Sequence, residues 1–247
     1  MVRESTTPRP RSPRPRWFPR LVGVTVIITI GVALFSWVSH SAYFRVQGVA
    51  VVGNAHESSE QILTMTGLDK HPAMLDIKPR EISTTLSQLR WVASVRVERH
   101  WPNHLRLIVT ERHPVAVAPD VTGRYYLVDR TGRQLDPAPE GTDLPRLVVA
   151  GTMHRWPFDH WARPAATVAA TLPRAFRSQV MVIRVTRNGS VTLRLTTPVA
   201  FYLGDLTQLH AKYVAVASII AGQPLHPNSY VDVSVPSAVT VQIRASV

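Results

Sequence analysis

The chain contains no cysteine among its 247 residues, which excludes a disulfide framework and any thiolate metal site. Acidic residues are scarce: 16 stand against 28 lysines and arginines, so the formal net charge is +12. Aromatic residues make up only 7% of the chain, and they form no stacking pattern or helix-turn-helix pattern of a nucleic-acid binder. The basic charge therefore does not predict nucleic-acid binding, and its distribution along the chain becomes the informative feature.

The N-terminal region combines positive charge with an apolar run. Six arginines and one glutamate occur in residues 1–20, directly before the uncharged run 21–38. As a helix that run would be about 27 Å long, close to the roughly 30 Å of membrane hydrocarbon. Positive charge beside such a run stays in the cytoplasm, so Arg14, Arg16 and Arg20 are predicted to set the topology. We expect a disordered cytoplasmic tail, one transmembrane helix, and the rest of the chain outside the cell.

A cleaved signal peptide is the alternative reading of the same region. Ser39-His40-Ser41 could serve as a weak cleavage site. The apolar run is longer than the usual signal-peptide core of about 7–15 residues, however. Trp37 and Tyr43 lie at its outer edge, as is typical of interfacial anchors. An uncleaved anchor is therefore the prediction.

Residues 43–112 alternate between strand-like and helix-like patterns in the order β-α-α-β-β. Phe44, Val46 and the apolar stretch 49–52 predict a strand, and Ser58 with Gln61 has the spacing of a helix-opening capping box. A second helix is expected from Pro79, with three apolar side chains on one face: Ile82, Leu86 and Leu89. Two strands of alternating pattern complete the domain, at 92–99 and 105–109.

Residues 113–247 predict a second outer domain with a mixed, mainly antiparallel sheet and helices on one face. Asn188-Gly189 between two alternating stretches indicates a β-hairpin with a type I′ turn. Helical spacing predicts a helix over 206–221, and a weaker one, interrupted by two prolines, over 161–176. The last strands are predicted at 230–235 and 239–243. The fold class is therefore α+β.

No catalytic or metal-binding constellation stands out. The chain lacks the nucleophile-elbow, zinc-protease and P-loop motifs. His100 and His104 are four residues apart, but Pro102 between them predicts a turn and not a shared helical face. Asp129 and Asp136 have no evident acid-base partner. We expect no enzyme activity, no cofactor and no metal.

The spacing of several motifs resembles one family. The arrangement R-x-W-P…V-x-E-R-x-P-V-A, after an N-terminal strand, is similar to the POTRA domain of the bacterial division proteins FtsQ and DivIB. The residues that carry this resemblance are Phe44, Val46, Val51, Gly53, Asn54, Trp91, Val92, Val95, Arg99, Trp101, Pro102, Leu105, Glu111, Arg112, Pro114, Val115 and Ala116. A second segment resembles the family's next domain through Tyr125–Asp129, Gly132 and Leu144-Pro145. Trp91 and Trp101 are expected to pack in the core or at a hinge, and Glu111 with Arg112 to form an ion pair.

The resemblance implies a membrane-anchored scaffold of the division machinery, located at the septum. Its implied partners are an FtsB/DivIC-like protein paired with an FtsL-like protein, with the septal wall synthase complex as a further candidate. Partner binding by strand addition to a sheet edge fits a chain without reactive groups. The expected partner-binding residues are the run Tyr230, Val231, Asp232, Val233 and Ser234, with Lys212 and Tyr213 as weaker candidates.

Three rival functions remain from the sequence alone. A POTRA-type domain also occurs in outer-membrane assembly proteins, but those carry a long β-barrel whose strand pattern is absent here. A secreted enzyme of the envelope is a second rival. A basic binder of wall polymer is a third, because the region after residue 20 keeps an excess of positive charge.

Overall fold

The structure is a computed structural model, and it describes residues 18–39, 41–120, 122–149, 162–222 and 225–243. Within the first helix it describes the side chains of residues 23–37. The chain divides into two compact units: Met1–Leu86 with Val95–Val109, and Ser87–Ser94 with Thr110–Val247. Of the arginines predicted to set the topology, Arg14 and Arg16 lie outside the described residues and Arg20 lies in the first helix.

Helix α1 covers Phe18–Ser39 and contains the predicted apolar segment 21–38. Its described side chains are all exposed, and none of them is charged; most are apolar, with hydroxyls only at Thr25, Thr29 and Ser36. The hydroxyl of Thr29 donates to the carbonyl oxygen of Thr25 at 2.8 Å, so this polar group is satisfied within the helix. Among the residues that the structure describes, no helix is long and apolar enough to cross a membrane. The spanning role of 21–38 stays a prediction.

After α1, the predicted order β-α-α-β-β is confirmed. The elements are β1 (Gly48–Val52), α2 (Ser59–Thr66), α3 (Pro79–Leu86), β2 (Val92–His100) and β3 (His104–Glu111). The strands form a sheet in the order β1-β3-β2, in which β1 runs parallel to β3. The core on this sheet includes the fully buried side chains of Ile62, Leu68, Met74, Leu86, Leu105 and Leu107.

Both ends of α2 follow from the local sequence. The Ser58 hydroxyl accepts the amide of Gln61 at 3.1 Å, which confirms the predicted start. Gly67 ends the helix in the left-handed conformation, with φ 67°. The strand predicted from residue 44 begins only at Gly48, because Phe44 lies in a short 3-10 helix, Ala42–Phe44.

Helix α3 ends at Leu86, so the prediction that Leu89 lies on its apolar face is wrong. The carbonyl oxygens of residues 87–89 accept hydrogen bonds from the guanidinium of Arg133, at 3.1, 3.1 and 3.4 Å. These carbonyl groups are therefore satisfied without another helical turn.

The second unit carries a nine-stranded mixed sheet. Its strands are β4 (Pro114–Pro119), β5 (Tyr125–Asp129), β6 (Gln134–Pro137), β7 (Arg146–Val149), β8 (Val180–Val185), β9 (Val191–Leu195), β10 (Ala200–Gly204), β11 (Ser229–Asp232) and β12 (Thr240–Ile243). They pair in the order β12-β11-β10-β9-β8-β7-β4-β5-β6. Three neighbouring pairs are parallel (β4–β7, β7–β8 and β10–β11) and the other five are antiparallel, so the predicted mainly antiparallel sheet is confirmed.

Helices pack on one face of this sheet. They are α4 (Ala162–Thr171), α5 (Arg174–Arg177) and α6 (Leu209–Gly222). A single core of buried residues joins α4 and α6 to strands β4 and β7–β11. The weak helix predicted over 161–176 is two helices, with Pro173 directly before the second. Helix α6 begins later than residue 206 because Gln208 takes a left-handed conformation, with φ 51°.

The predicted hairpin joins β8 to β9, but its turn type was predicted wrongly. Of the Asn188-Gly189 pair, only Gly189 has a positive φ, 83°, whereas a type I′ turn needs both. The Gly189 amide donates to the Thr186 carbonyl oxygen at 2.9 Å, and the Thr186 amide to the Ser190 carbonyl oxygen at 2.9 Å. The connection is therefore a tight turn followed by a glycine bulge.

Candidate partner-binding edge

Strand β11, which holds the predicted binding run, is an interior strand of the sheet. It pairs in parallel with β10 on one side and antiparallel with β12 on the other. Within the described ranges no strand pairs with the outer side of β12. The free edge at this end of the sheet therefore belongs to Thr240–Ile243, one strand farther out than the run Tyr230–Ser234.

The residues of the predicted run divide between two faces of the sheet. Val231 and Val233 are fully buried against the helix-covered core. Tyr230 and Asp232 are half-buried on the opposite face, where the Tyr230 ring stacks on Tyr202 with centroids 6.2 Å apart. Ser234 lies two residues beyond the end of β11, and its amide donates to Asp232 Oδ1 at 2.8 Å. A direct partner contact by these residues stays a prediction.

The register shows which backbone groups of β12 face outward. The Val233 amide donates to the Tyr202 carbonyl oxygen at 2.9 Å, so odd-numbered residues here direct their polar groups toward β10. Tyr230 and Asp232 then face β12, where they lie opposite Gln242 and Thr240. In an antiparallel pair such partners exchange both hydrogen bonds. The amide and carbonyl of Val241 therefore point away from the sheet, toward an incoming strand.

Apolar side chains accompany this open backbone. Val235 and Val239 in the connection before β12 are exposed, and Val241 on the strand itself is 52% exposed. The Ala238 amide donates to the Val235 carbonyl oxygen at 3.0 Å, which closes the connection into a tight turn. The edge thus offers both a main-chain ladder and apolar contact area to a partner strand.

Lys212 and Tyr213, the weaker binding candidates, are buried in the second unit. Lys212 is only 1% exposed and donates to the backbone oxygen and the carboxylate of Asp205, at 3.0 and 2.8 Å. Lys212 is therefore not a solvated surface charge. The Tyr213 hydroxyl lies 2.8 Å from the hydroxyl of Thr171, and burial raises the pKa of this phenol. Both side chains position α6 within the fold.

Asp205 follows β10 and holds the start of α6. Its Oδ1 accepts from the ammonium of Lys212 and from the amide and hydroxyl of Thr207, the latter at 2.6 Å. The hydrogen bond from Lys212, followed by that from Thr207, holds the pKa of the Asp205 carboxyl at about 2. The negative charge that neutralises Lys212 is therefore present across the physiological range.

A buried ion pair in the second unit escaped the sequence reading. Arg112 Nη1 donates to Asp129 Oδ2 at 2.6 Å, with side-chain exposures of 13% and 2%. Asp129 Oδ1 accepts from the amide and hydroxyl of Thr131 and from the amide of Arg133, at 2.7–2.8 Å. Burial acts to raise the pKa of Asp129, but the hydrogen bonds from Thr131, Arg112 and Arg133 outweigh it and hold that pKa below its usual range. Arg112 also donates from Nε to the Val92 carbonyl oxygen at 3.0 Å.

Two expectations about residues that carry the family resemblance, Arg112 and Trp101, need correction. Arg112 was expected to pair with Glu111, but its carboxylate partner is Asp129, seventeen positions later. Glu111 is the last residue of β3, and Arg112 follows the strand. Trp91 is buried as expected, and its indole nitrogen donates to Asp136 at 2.8 Å. Trp101 was expected to pack in the core or at a hinge, but its side chain is 52% exposed.

The two carboxylates predict a loss of stability in acid. Asp129 and Asp205 have folded-state pKa values below the ordinary 3.8, so their contribution is complete above that value and is lost as the pH falls through the lower ones. We expect the urea midpoint of the second unit to be level from about pH 7 to 5 and to fall from about pH 4 to 2. Asp129→Asn should make the decrease of the urea midpoint between pH 4 and 2 less steep. Glu140→Gln, at an exposed position, should leave that decrease unchanged. An equally steep fall in Asp129→Asn would contradict this assignment.

Among the described residues, no group of three or more histidine, aspartate or glutamate side chains is placed to hold a metal ion. His100 and His104 flank the turn between β2 and β3, as predicted from Pro102. His104 Nδ1 lies 2.7 Å from the side-chain oxygen of Asn103.

Two family models match the chain. The model described as "POTRA domain, FtsQ-type" matches residues 44–112, and "Cell division protein FtsQ/DivIB, C-terminal" matches residues 116–234. The second match ends after β11, so the edge strand β12 lies beyond it. The open edge of β12 is therefore a feature of the sheet pairing and not of the family match.

Similar curated proteins carry the name "Cell division protein FtsQ". That of Mycobacterium leprae is 29% identical over 197 residues, which cover 80% of this chain and 55% of that protein. That of Streptomyces venezuelae is 28% identical over 226 residues, covering 86% of this chain and 82% of that protein. That of Mycobacterium tuberculosis is 26% identical over 227 residues, covering 92% and 70%. The chain thus spans just over half the length of the first relative and most of the other two.

Proposed function

Because the chain belongs to the FtsQ/DivIB family of cell division proteins, we propose that it is a non-enzymatic, membrane-anchored scaffold of the bacterial division machinery. Its FtsQ-type POTRA domain and its sheet domain lie outside the cell, and the protein acts at the division septum. It links early and late division proteins by binding them. The single observation that carries this proposal is the open backbone edge of β12, bordered by exposed valines.

The anchor is the apolar segment 21–38 within α1. Its support is the absence of any charged residue among the described side chains 23–37, all of which are exposed. Such a helix is stable where its surroundings are apolar on every side. The arginine-rich tail before it favours a cytoplasmic N-terminus, which makes this a single-pass protein of the plasma membrane with its C-terminal domains outside.

The partner is an FtsB/DivIC-like protein that pairs with an FtsL-like protein, and it adds a strand to β12. Backbone hydrogen bonds to Val241 supply affinity, and contacts with the exposed valines supply specificity. Strand β11 does not contact the partner in this arrangement. It holds β12 in place through the residue pairs Tyr230–Gln242 and Asp232–Thr240. In this arrangement Tyr230, Asp232 and Ser234 support the edge, while Lys212 and Tyr213 hold the helix beneath it.

Val241→Pro is expected to weaken partner binding at least about tenfold, because it removes an outward donor and adds a ring on the binding side. Proline is tolerated on an edge strand when its position does not donate to the ladder, so the domain should stay folded. The affinity of the full chain in lipid nanodiscs for the outer segment of the partner measures the effect.

The matched control is Val241→Ala, which keeps the amide and should bind nearly as well as the native chain. Val233→Pro is unsuitable as a test, since the Val233 amide already donates to Tyr202 within the sheet. Undiminished binding by a folded Val241→Pro variant would exclude strand addition at β12.

A further inference from the structure

Three aromatic side chains form an exposed cluster in the first unit, here called the aromatic tip: Tyr43, Phe44 and Trp101. Tyr43 is 64% exposed and Trp101 52% exposed. The rings of Tyr43 and Phe44 meet edge-on with centroids 5.3 Å apart, and those of Phe44 and Trp101 at 6.3 Å. Trp101 comes from the turn between β2 and β3, so two distant segments of the chain build one apolar projection.

Basic residues lie on the chain segments next to the aromatic tip. Arg45, which is exposed, follows directly in the chain and bridges to Ala73. The Val46 amide donates to the Pro72 carbonyl oxygen at 3.0 Å, which brings the exposed Lys70 and His71 to the same end of the unit. His104 lies beside Gly48, where a Cβ would be 2.7 Å from its ring. Two acidic residues are also near: Asp69 lies in the same 3-10 helix as Lys70, and the Glu98 carboxylate lies 3.9 Å from His100 Nε2.

The tip lies only a few residues after the proposed anchor. Helix α1 ends at Ser39, and the tip begins at Tyr43. Four extended residues reach no more than about 14 Å, so the tip cannot lie far from the outer end of the helix. The polar layer of a bilayer is roughly 5–7 Å deep on each side, and tryptophan and tyrosine concentrate there. The basic residues near the tip, Arg45 and Lys70, add electrostatic attraction to anionic headgroups.

We propose that the aromatic tip inserts into the interfacial layer of the membrane, with Arg45 and Lys70 against lipid phosphates, so that the POTRA domain is held on the bilayer surface. This rests on the proposed membrane anchor. The proposal gives Trp101 and Phe44 a lipid-binding role. Neither the family resemblance nor the family models assign them one. An apolar segment of a partner protein is the competing occupant of the same cluster, and the test separates the two.

The absence of cysteine allows a direct test, because a single introduced thiol carries the only label. Trp101→Cys and, separately, Tyr43→Cys are labelled with bimane in the full chain. The labelled chain is placed in vesicles of three parts phosphatidylcholine to one part phosphatidylglycerol, with nitroxide on the lipid headgroup region. The control is Glu60→Cys at the start of α2. It lies at the far end of β1 from the tip, where Ser59 contacts Asn54 at 3.2 Å.

We expect the nitroxide lipid to remove at least half of the emission at positions 43 and 101 and to leave position 60 unchanged, with no partner protein present. Adding Arg45→Glu should reduce the quenching. If the labels at positions 43 and 101 are not quenched but the chain resists carbonate extraction, the inference about the tip is overturned. The proposed membrane anchor is then still supported. Quenching that requires a partner protein would also overturn the inference about the tip. Extraction of the chain by carbonate would overturn both proposals.

Discussion

Replacing Arg112 with alanine is expected to lower the free energy of unfolding of the second unit by about 3 kcal/mol. The Asp129 carboxylate, 2% exposed, would lose the guanidinium with which it is paired at 2.6 Å. A buried charge left without its partner typically costs about 3–5 kcal/mol. The hydrogen bonds from Thr131 and Arg133 remain, so the lower end of that range applies. Urea unfolding of the full chain in detergent, followed by tryptophan fluorescence, measures the change.

Two comparison variants make this result specific. Arg112→Lys keeps the charge but cannot donate at once to Asp129 and to the Val92 carbonyl oxygen, so it should lie between the native chain and the alanine variant. Lys78→Ala breaks an ion pair with Glu81 whose side chains are 68% and 70% exposed, and it should change nothing measurable. An unfolding midpoint for Arg112→Ala equal to that of Lys78→Ala would refute the structural role of the buried pair.

Gly53→Ala is expected to destabilise the first unit by about 3 kcal/mol, from backbone strain and a steric clash together. Gly53 has φ 87°, and a Cβ added there would lie 2.2 Å from the carbonyl oxygen of Val109. That oxygen belongs to β3, which pairs with β1, so relief of the clash requires the two strands to separate locally. The loss of stability should appear in the unfolding transition of the first unit.

Gly67→Ala measures the cost of backbone strain in the absence of a steric clash. Gly67 has a similar φ, 67°, but no atom lies within 4 Å of its would-be Cβ. It should cost only about 1 kcal/mol. Equal losses in the two variants would show that the close approach of Val109 to Gly53 has no energetic weight.

Local signals predicted the elements of this chain well. The Ser58 cap and Gly67 stop each act within one helical turn, and both ends of α2 lie where these residues place them. The alternation of Leu105, Leu107 and Val109 marks a strand whose buried side follows directly from the pleat. Such features depend on a few neighbouring residues, so a single sequence suffices to find them.

Long-range features were missed for a physical reason. The run Tyr230–Val235 looks the same whether its strand lies at an edge or inside a sheet, and only the pairing with β12 decides. Lys212 is a typical solvated residue by type, but the carboxylate of Asp205 neutralises it in the interior. The exposure of Trp101 depends on a turn that projects it beside Phe44, fifty-seven positions earlier. None of these contacts has a local signature.

Hydrogen exchange at the Val241 amide tests the central claim most directly. In the free chain this amide points to solvent, whereas that of Gln242 donates to β11, so Val241 should exchange fast and Gln242 slowly. Binding of the FtsB/DivIC-like partner should slow exchange at Val241 at least about tenfold and leave Gln242 nearly unchanged. Full occupancy by the partner with no slowing at Val241 would contradict capture through the backbone edge of this sheet.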